Sequence, residues 1–454
     1  MKTFDLIVIG AGSGLDAAVE AAQRGWKVAL VEEGPLGGTC LNRGCIPSKM
    51  IIHAAEVAQE IQNAKKFGLT ASLQHVNLKQ VTQRASVTVD HDARSIEQAL
   101  RSGKNPTLFK GRGTFISSRT LQVNKEIIIG KRILIAAGAR PSIPSIPGLD
   151  TVPYWTSTDA LRQTVLPKSL IVIGGGYIAA ELGNFYGTLG CKVTLIQRGQ
   201  ALLSREDKDI VEKFTSLWKK KYTVLLNTTT DKVEKKGKNI VVTVSTGKKV
   251  QKITAEKILV ATGIKPNSDL LNLEKTGVKV NQNGFIQVNQ FLETSAQSIW
   301  ALGDIAGVYL FKHSANLEAE YLVNNLFGIK KPVDYYPMPH AIFTDPQVAG
   351  VGLTEQEAME QKKKYVVGRY EYKNTGMGAA MEEKNGFVKF IVEAKTKEIL
   401  GCHILGPQAS TLLHEVVVAM KADRFKALDI LRSAVHVHPA LSEVVQRAAR
   451  SVKV

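Results

Sequence analysis

Cysteine is scarce in this chain: four in 454 residues, at positions 40, 45, 191 and 402. That is too few for a disulfide-framed secreted scaffold. Long apolar runs are missing as well, since none approaches the roughly 20 residues that span a bilayer. No membrane partner is expected. The opening run, Met1-Lys2-Thr3-Phe4-Asp5-Leu6-Ile7-Val8-Ile9-Gly10, enters a strand at once and leaves no room for a leader peptide. A cytoplasmic globular protein is the expectation. Acidic residues are outnumbered, 41 against 59 Lys plus Arg, giving a net charge of +18. The basic residues are spread along the chain, with local clusters at 219–221, 235–238 and 362–364. No base-stacking aromatic module or helix-turn-helix pattern accompanies them, so nucleic acid is not the expected partner. Acidic protein partners or anionic substrates suit such a surface at least as well. No metal site is expected.

What is present is concentrated. Cys40 and Cys45 lie in Gly37-Gly38-Thr39-Cys40-Leu41-Asn42-Arg43-Gly44-Cys45-Ile46-Pro47-Ser48-Lys49, just after a nucleotide-binding β-α-β pattern. Two thiols so placed can cycle between dithiol and disulfide. A regular helix would hold residues i and i+5 about 8 Å apart, beyond the roughly 4.4–6.8 Å that a disulfide tolerates between Cα atoms. The segment is therefore expected to be distorted between the cysteines, where Asn42 and Gly44 suit distortion. Helix is expected to resume at Pro47, and its dipole lowers thiol pKa values near its start. Cys191 and Cys402 sit in strand-like runs and read as packing residues.

The β-α-β pattern occurs twice. Residues 4–10, 13–25 and 27–32 form one copy, and 170–174, 177–190 and 192–197 the other. In the first, Gly10, Gly12 and Gly14 would bring backbone amides to a pyrophosphate at a helix N-terminus. The usual third glycine is displaced, because position 15 is Leu and Gly14 comes one residue early. Glu32 ends the second strand, where a carboxylate accepts from ribose hydroxyls. In the second copy, Gly174 and Gly176 open the helix, Ala179 supplies the small sixth position, and Gln197 replaces the acid. Arg198 and Arg205 follow, a pattern that suits a 2′-phosphate and leans the coenzyme from NAD towards NADP. Their bland alternative is ordinary surface charge. A further element, Gly303-Asp304, offers a carboxylate for a flavin's ribityl hydroxyls. Residues 222–263 read as a small β-meander, 141–153 as a linker, and the chain beyond 336 as strands followed by helices.

These motifs together resemble the class I flavoprotein pyridine nucleotide-disulfide oxidoreductases. The resemblance covers essentially the whole chain and rests on the cysteine run, both glycine motifs, Gly303-Asp304 and His436-Val437-His438-Pro439-Ala440-Leu441-Ser442-Glu443. It implies an α/β fold of two Rossmann-like domains, for FAD and NAD(P), plus a C-terminal α+β dimerisation domain. The expected division is 1–147 and 267–336 for FAD, 148–266 for NAD(P) and 337–454 for the interface.

By resemblance, Cys45 faces the flavin and Cys40 exchanges with substrate. Lys49 lies near the flavin N5 and pairs with Glu181, and Tyr177 covers the nicotinamide pocket. His438, oriented by Glu443, acts as acid/base in the other subunit of a homodimer, and His436 is structural. Thr39, Gly113, Gly138, Ile178 and Gly263 join the residues expected to touch cofactor. The pattern is closest to dihydrolipoyl dehydrogenase, implying oxidation of dihydrolipoyl groups on a carrier protein. Lys312-His313-Ser314-Ala315-Asn316 and Phe343-Thr344-Asp345-Pro346-Gln347 are instead similar to the mycothione and mercuric reductase branches. The alternative is therefore an NADPH-dependent reductase of a small disulfide. Mercuric reductase itself is disfavoured by the missing terminal cysteine pair, and glutathione reductase by Glu20 where an arginine would stand. A different class, a non-catalytic flavoprotein scaffold or nucleic-acid binder, would need the catalytic set to be idle.

Overall fold

The computed structural model describes residues 1–453. It begins with β1 (Lys2–Ile9), α1 (Ser13–Gln23) and β2 (Val28–Glu32), followed by α2 (Gly38–Arg43), α3 (Cys45–Asn63) and α4 (Leu78–Ser102). Strands β3 (Thr107–Lys110), β4 (Gly113–Ser117), β5 (Thr120–Val123) and β6 (Glu126–Ile135) complete most of the first sheet. Its order is β3-β2-β1-β6-β5-β4. Strands β3, β2, β1 and β6 run parallel; β2 and the later residues of β1 and β6 are buried on both faces, as the near-continuous apolar runs of β1 and β2 require.

The second nucleotide-type unit follows β7 (Ala139–Pro141) and the short α5 (Ser157–Ala160). It contains β8 (Ser169–Ile173), α6 (Tyr177–Thr188), β9 (Lys192–Ile196), α7 (Lys208–Lys221) and β10 (Thr223–Leu225). Next come β11 (Thr228–Lys236), β12 (Asn239–Thr246), β13 (Lys249–Ala255) and β14 (Lys257–Val260). The meander expected over 222–263 is narrower than the sequence suggests. Only β11-β12-β13 forms an antiparallel sheet, whereas β10 and β14 join β9 and β8 in a parallel sheet ordered β10-β9-β8-β14. Short apolar strands look alike in sequence whichever sheet claims them.

β15 (Ile264–Pro266) pairs antiparallel with β7, so the two chain crossings between the nucleotide units lie side by side. The chain then returns to the first sheet, where β16 (Ile299–Ala301) pairs parallel with β6, and α8 (Lys312–Phe327) packs near α1. The C-terminal unit holds β17 (Pro339–Ile342), β18 (Val348–Gly352), α9 (Glu355–Glu360), β19 (Tyr365–Glu371), α10 (Gly376–Ala380), β20 (Phe387–Glu393) and β21 (Ile399–Leu405). Its five strands form an antiparallel sheet ordered β17-β18-β21-β20-β19. Helices α11 (Ala409–Ala422), α12 (Ala427–Ser433) and α13 (Glu443–Ser451) bury Leu412, Val416, Leu428, Val444 and Ala448 in one core with that sheet. Among the described residues no helix is long and apolar enough to cross a membrane.

Candidate active site

Gly44 breaks the helix between the cysteines. It takes φ −138° and ψ −115°, and a Cβ there would lie 2.9 Å from the Thr39 carbonyl oxygen. Asn42, buried beneath the break, donates to the carbonyls of Leu36 at 2.8 Å and Gly38 at 2.9 Å, holding α2 in place. Helix resumes at Cys45 rather than at Pro47, because Gly44 alone supplies the break; Pro47 still falls in the first turn.

Both cysteines are free thiols here. They are not equivalent. The hydrogen bond from Cys40 is the largest influence on Cys45, and together with the Lys49 charge it outweighs burial and brings the thiol down to about 7. Donating that hydrogen bond, with burial added, pushes Cys40 far up. Of the two, Cys45 is therefore the more readily ionised. By contrast, burial pushes Cys191 up to about 12 and the fully buried Cys402 well above the usual range, leaving both unreactive.

Lys49 lies one turn beyond Cys45 in α3 and donates to both oxygens of Glu181 on α6, at 2.9 and 2.8 Å. Its ammonium also sits 4.5 Å from the Phe343 ring centroid, and the Phe343 amide donates to Glu181 at 3.0 Å. Three elements therefore fix one cation beside the thiols. Phe343 was visible in the sequence only as part of a branch-like motif, not as a site residue.

At the first glycine turn, Gly10 has φ +104°, and a Cβ would lie 2.2 Å from the Ala136 carbonyl oxygen. Gly14 does the work of the displaced third glycine, for a Cβ there would meet Ala136 and Val8 within 2.9 Å. Gly12 touches Gly38, which brings the turn against the start of the cysteine helix. Glu32 accepts from the amides of Ala11 and Gly34, both at 2.7 Å. Its oxygens keep further lone pairs for ribose. Asp304 is half-buried, accepts no hydrogen bond among the described residues, and has its carboxyl pushed up by burial. An unpartnered carboxylate beside these turns fits a flavin that brings its own hydroxyl donors. Lys312, which sequence reading had not placed at the site, opens α8, donates to Ser13 at 2.8 Å and lends its charge to Cys40.

The second turn repeats the first. Gly174 has φ +127° with the Ala261 oxygen 2.2 Å from a would-be Cβ, and Gly176 faces open space. Gln197 stands under Gly175, 2.8 Å from its would-be Cβ. Arg198 and Arg205 are exposed and enter no salt bridge among the described residues. Tyr177 and the exposed Ile178 start α6. Gly138 and Gly263 flank the β7–β15 crossing, and Thr39 is exposed on α2. Gly113 packs in β4 against Val31, whose carbonyl accepts from the Gly10 amide, and against Leu121.

His438 is not brought to the thiols by its own chain. Its Nδ1 lies 3.1 Å from both oxygens of Glu443, yet its side chain is 75% exposed. The Glu443 carboxyl is held below its usual range by that imidazole. Neighbouring Val435 and Val437 are 100% and 76% exposed, an apolar display that calls for a covering surface. The His436 side chain is instead largely covered and pairs with Glu415 at 2.9 Å. No group of three or more His, Cys, Asp or Glu is placed to hold a metal among the described residues.

Residues 4–319 match the family model for pyridine nucleotide-disulphide oxidoreductase, and 338–449 match the dimerisation domain of the same family. The chain is 37% identical to mercuric reductase of Staphylococcus aureus over 92% of this chain and 77% of that protein. It is 36% identical to mycothione reductase of Mycobacterium tuberculosis, over 99% of both. It is also 36% identical to dihydrolipoyl dehydrogenase of Thermus scotoductus, over 100% of this chain and 98% of that protein. The solved Cu(II) complex of the HOCl-induced flavoprotein disulfide reductase RclA from Escherichia coli superposes with TM-score 0.89 at 28% identity, covering 100% of both chains. The chain belongs to the pyridine nucleotide-disulphide oxidoreductases, flavoenzymes that bind FAD and take NAD(P)H as nicotinamide partner.

Proposed function

We propose that the protein exchanges electrons between NAD(P)(H) and a lipoyl dithiol carried on a partner protein, as a dihydrolipoyl dehydrogenase-type enzyme of the cytoplasm. The carrying observation is the unequal thiol pair: a readily ionised Cys45 beside Lys49 and a Cys40 thiol free to exchange. Bound FAD supplies the electron relay between this pair and the nicotinamide. In the lipoyl-oxidising direction, a substrate thiolate attacks Cys40 of the oxidised pair and Cys45 leaves as thiolate. The second substrate sulfur then displaces Cys40, so the substrate becomes a disulfide and the two cysteines hold its electrons. His438 of the partner subunit takes the substrate's proton, with Glu443 orienting its imidazole. That exchange across subunits requires a homodimer, which the exposed Val435 and Val437 favour. The motif from His438 to Glu443 supports the lipoyl substrate, and the +18 charge suits an acidic carrier.

A second reading, an NADPH-dependent reductase of a small disulfide of the mycothione type, is favoured by one observation. Gln197 leaves no carboxylate under the second turn, while Arg198 and Arg205 are free to bind a 2′-phosphate. Steady-state kinetics with NAD+ and NADP+ against dihydrolipoamide, and with NADH and NADPH against mycothione and other small disulfides, tests the choice. Efficient NAD(P)+-linked oxidation of dihydrolipoamide supports the first reading. Indifference to it, with NADPH-driven disulfide reduction, establishes the second.

A further inference from the structure

Lys312, the first residue of α8, donates from its ammonium to the Ser13 hydroxyl at 2.8 Å. Ser13 in turn donates to Asn316 Oδ1 at 2.9 Å, and Asn316 stands one turn further along α8. The ammonium is thus held by a neutral hydroxyl. Asp16 faces it from α1 but lies 3.9 Å away, too far for a hydrogen bond, and is largely exposed. The adjacent His313 is held below its usual range by burial, so it adds no positive charge at neutral pH.

Ser13 also lies against the redox segment. The Gly37 amide donates to the Ala11 carbonyl at 2.9 Å, and a Cβ on Gly38 would lie 2.6 Å from the Gly12 Cα. The starts of α1 and α2 are therefore in backbone contact, with Ser13 one residue beyond it and Cys40 two. The hydrogen bond to Cys45 and burial push the Cys40 thiol up, and the Lys312 charge works against both. On its other side Cys40 faces Cys45, whose own cation is Lys49. Each sulfur therefore has a lysine of its own. They differ in one respect: Lys49 is paired with the Glu181 carboxylate at 2.8 Å, whereas no carboxylate touches Lys312 among the described residues.

We propose that Lys312 stabilises the negative charge on the Cys40 sulfur while it exchanges with substrate. The proposal rests on the reading of Cys40 as the exchanging thiol. When a substrate disulfide closes, the bond from Cys40 to the substrate sulfur breaks, and Cys40 leaves with the electron pair as thiolate. In the reverse direction the Cys40 thiolate attacks a substrate disulfide, a bond forms to one sulfur, and the other takes the pair. The same sulfur is anionic in both, and a fixed ammonium favours that charge without reorganising. Proton transfer stays with His438 of the partner subunit; Lys312 moves none.

Alkylation of the FAD-loaded protein carrying Cys45→Ser reports on Cys40, because Cys191 and Cys402 are buried. In that background Lys312→Met slows the reaction with iodoacetamide about threefold at about pH 7. Losing one nearby cation leaves about tenfold less thiolate, and the greater nucleophilicity of a more basic sulfur returns about threefold. Iodoacetate, an anion, slows by about tenfold, since it also loses its attraction to the ammonium. Lys312→Arg keeps the charge and restores both rates. At a pH that ionises Cys40 fully, the iodoacetamide rate of Lys312→Met equals or exceeds that of its parent, which a distorted site would not allow. An unchanged iodoacetamide rate at about pH 7, a deficit that Lys312→Arg does not restore, or one that persists at full ionisation would overturn the role of Lys312. If dihydrolipoamide, NADH and NADPH all fail to reduce the Cys40–Cys45 disulfide of the unmodified protein, the exchange reading fails instead, whatever the alkylation rates.

Discussion

At Gly10 and at Gly174 the chain makes the same turn, each with positive φ and each with a carbonyl oxygen 2.2 Å from where a Cβ would stand. Each turn follows a buried parallel strand and opens a helix. The sites part at the end of the next strand. There Glu32 is fixed by two backbone amides at 2.7 Å, whereas Gln197 is followed by the exposed Arg198. Backbone sterics thus dictate the phosphate turn, and one side chain dictates what each turn selects. The Cys40/Cys45 pair lies near both: Gly38 touches Gly12 of the first turn, and Lys49 binds Glu181 of the helix that the second turn opens.

If the pair works between the two sites, Cys45→Ser severs the dithiol from the flavin. Turnover with dihydrolipoamide or a disulfide substrate falls to background, while nicotinamide still bleaches the flavin in single-turnover mixing. Loss of bleaching as well would show that the sites do not operate separately. His438→Ala is the next largest change, with turnover lower by roughly 10²–10⁴-fold, the usual weight of a positioned acid/base.

The divergence at the strand ends is sharpened by exchanging it. Gln197→Glu combined with Arg198→Ala moves the kcat/KM ratio of NADPH to NADH about a hundredfold towards NADH, since a charge-assisted phosphate contact is lost and a ribose acceptor gained. An unchanged ratio would reduce Arg198 to surface charge. The reciprocal change, Glu32→Gln, weakens FAD retention by about tenfold, measured as flavin released on dilution. It does so through the Ala11 and Gly34 amides as well as through ribose.

The smallest effect concerns pH. The Cys45 thiolate of the reduced enzyme is present above about 7 and protonates as pH falls through that value. Lys49→Met removes a neighbouring positive charge and moves this midpoint upward, readable from thiolate absorbance. A midpoint that stays in place would remove Lys49 from the control of Cys45.

Much of this was legible because the signals were local. The β-α-β turns and the distortion between Cys40 and Cys45 lie within short runs, where sterics act directly. The resumption of helix at Cys45 was missed by two residues, because Gly44 alone was enough to break α2. β10 and β14 were misassigned to the meander because sheet membership is decided by distant strands. Lys312 and Phe343 appeared only as branch-like motifs, since their contacts with Ser13 and Glu181 join segments far apart in sequence. The hydrogen bonds of Glu206 with Tyr177 and His340 left no sequence signal, since they join segments far apart in the chain.

Anaerobic reductive titration of the FAD-loaded protein, with thiols counted at each step, measures the central claim. The account predicts that the protein takes up electrons beyond those its flavin holds, that Cys40 and Cys45 become titratable together, and that a long-wavelength band appears which Cys45→Ser lacks. Complete bleaching of the flavin with the first reductant, and with no new thiol, would contradict it.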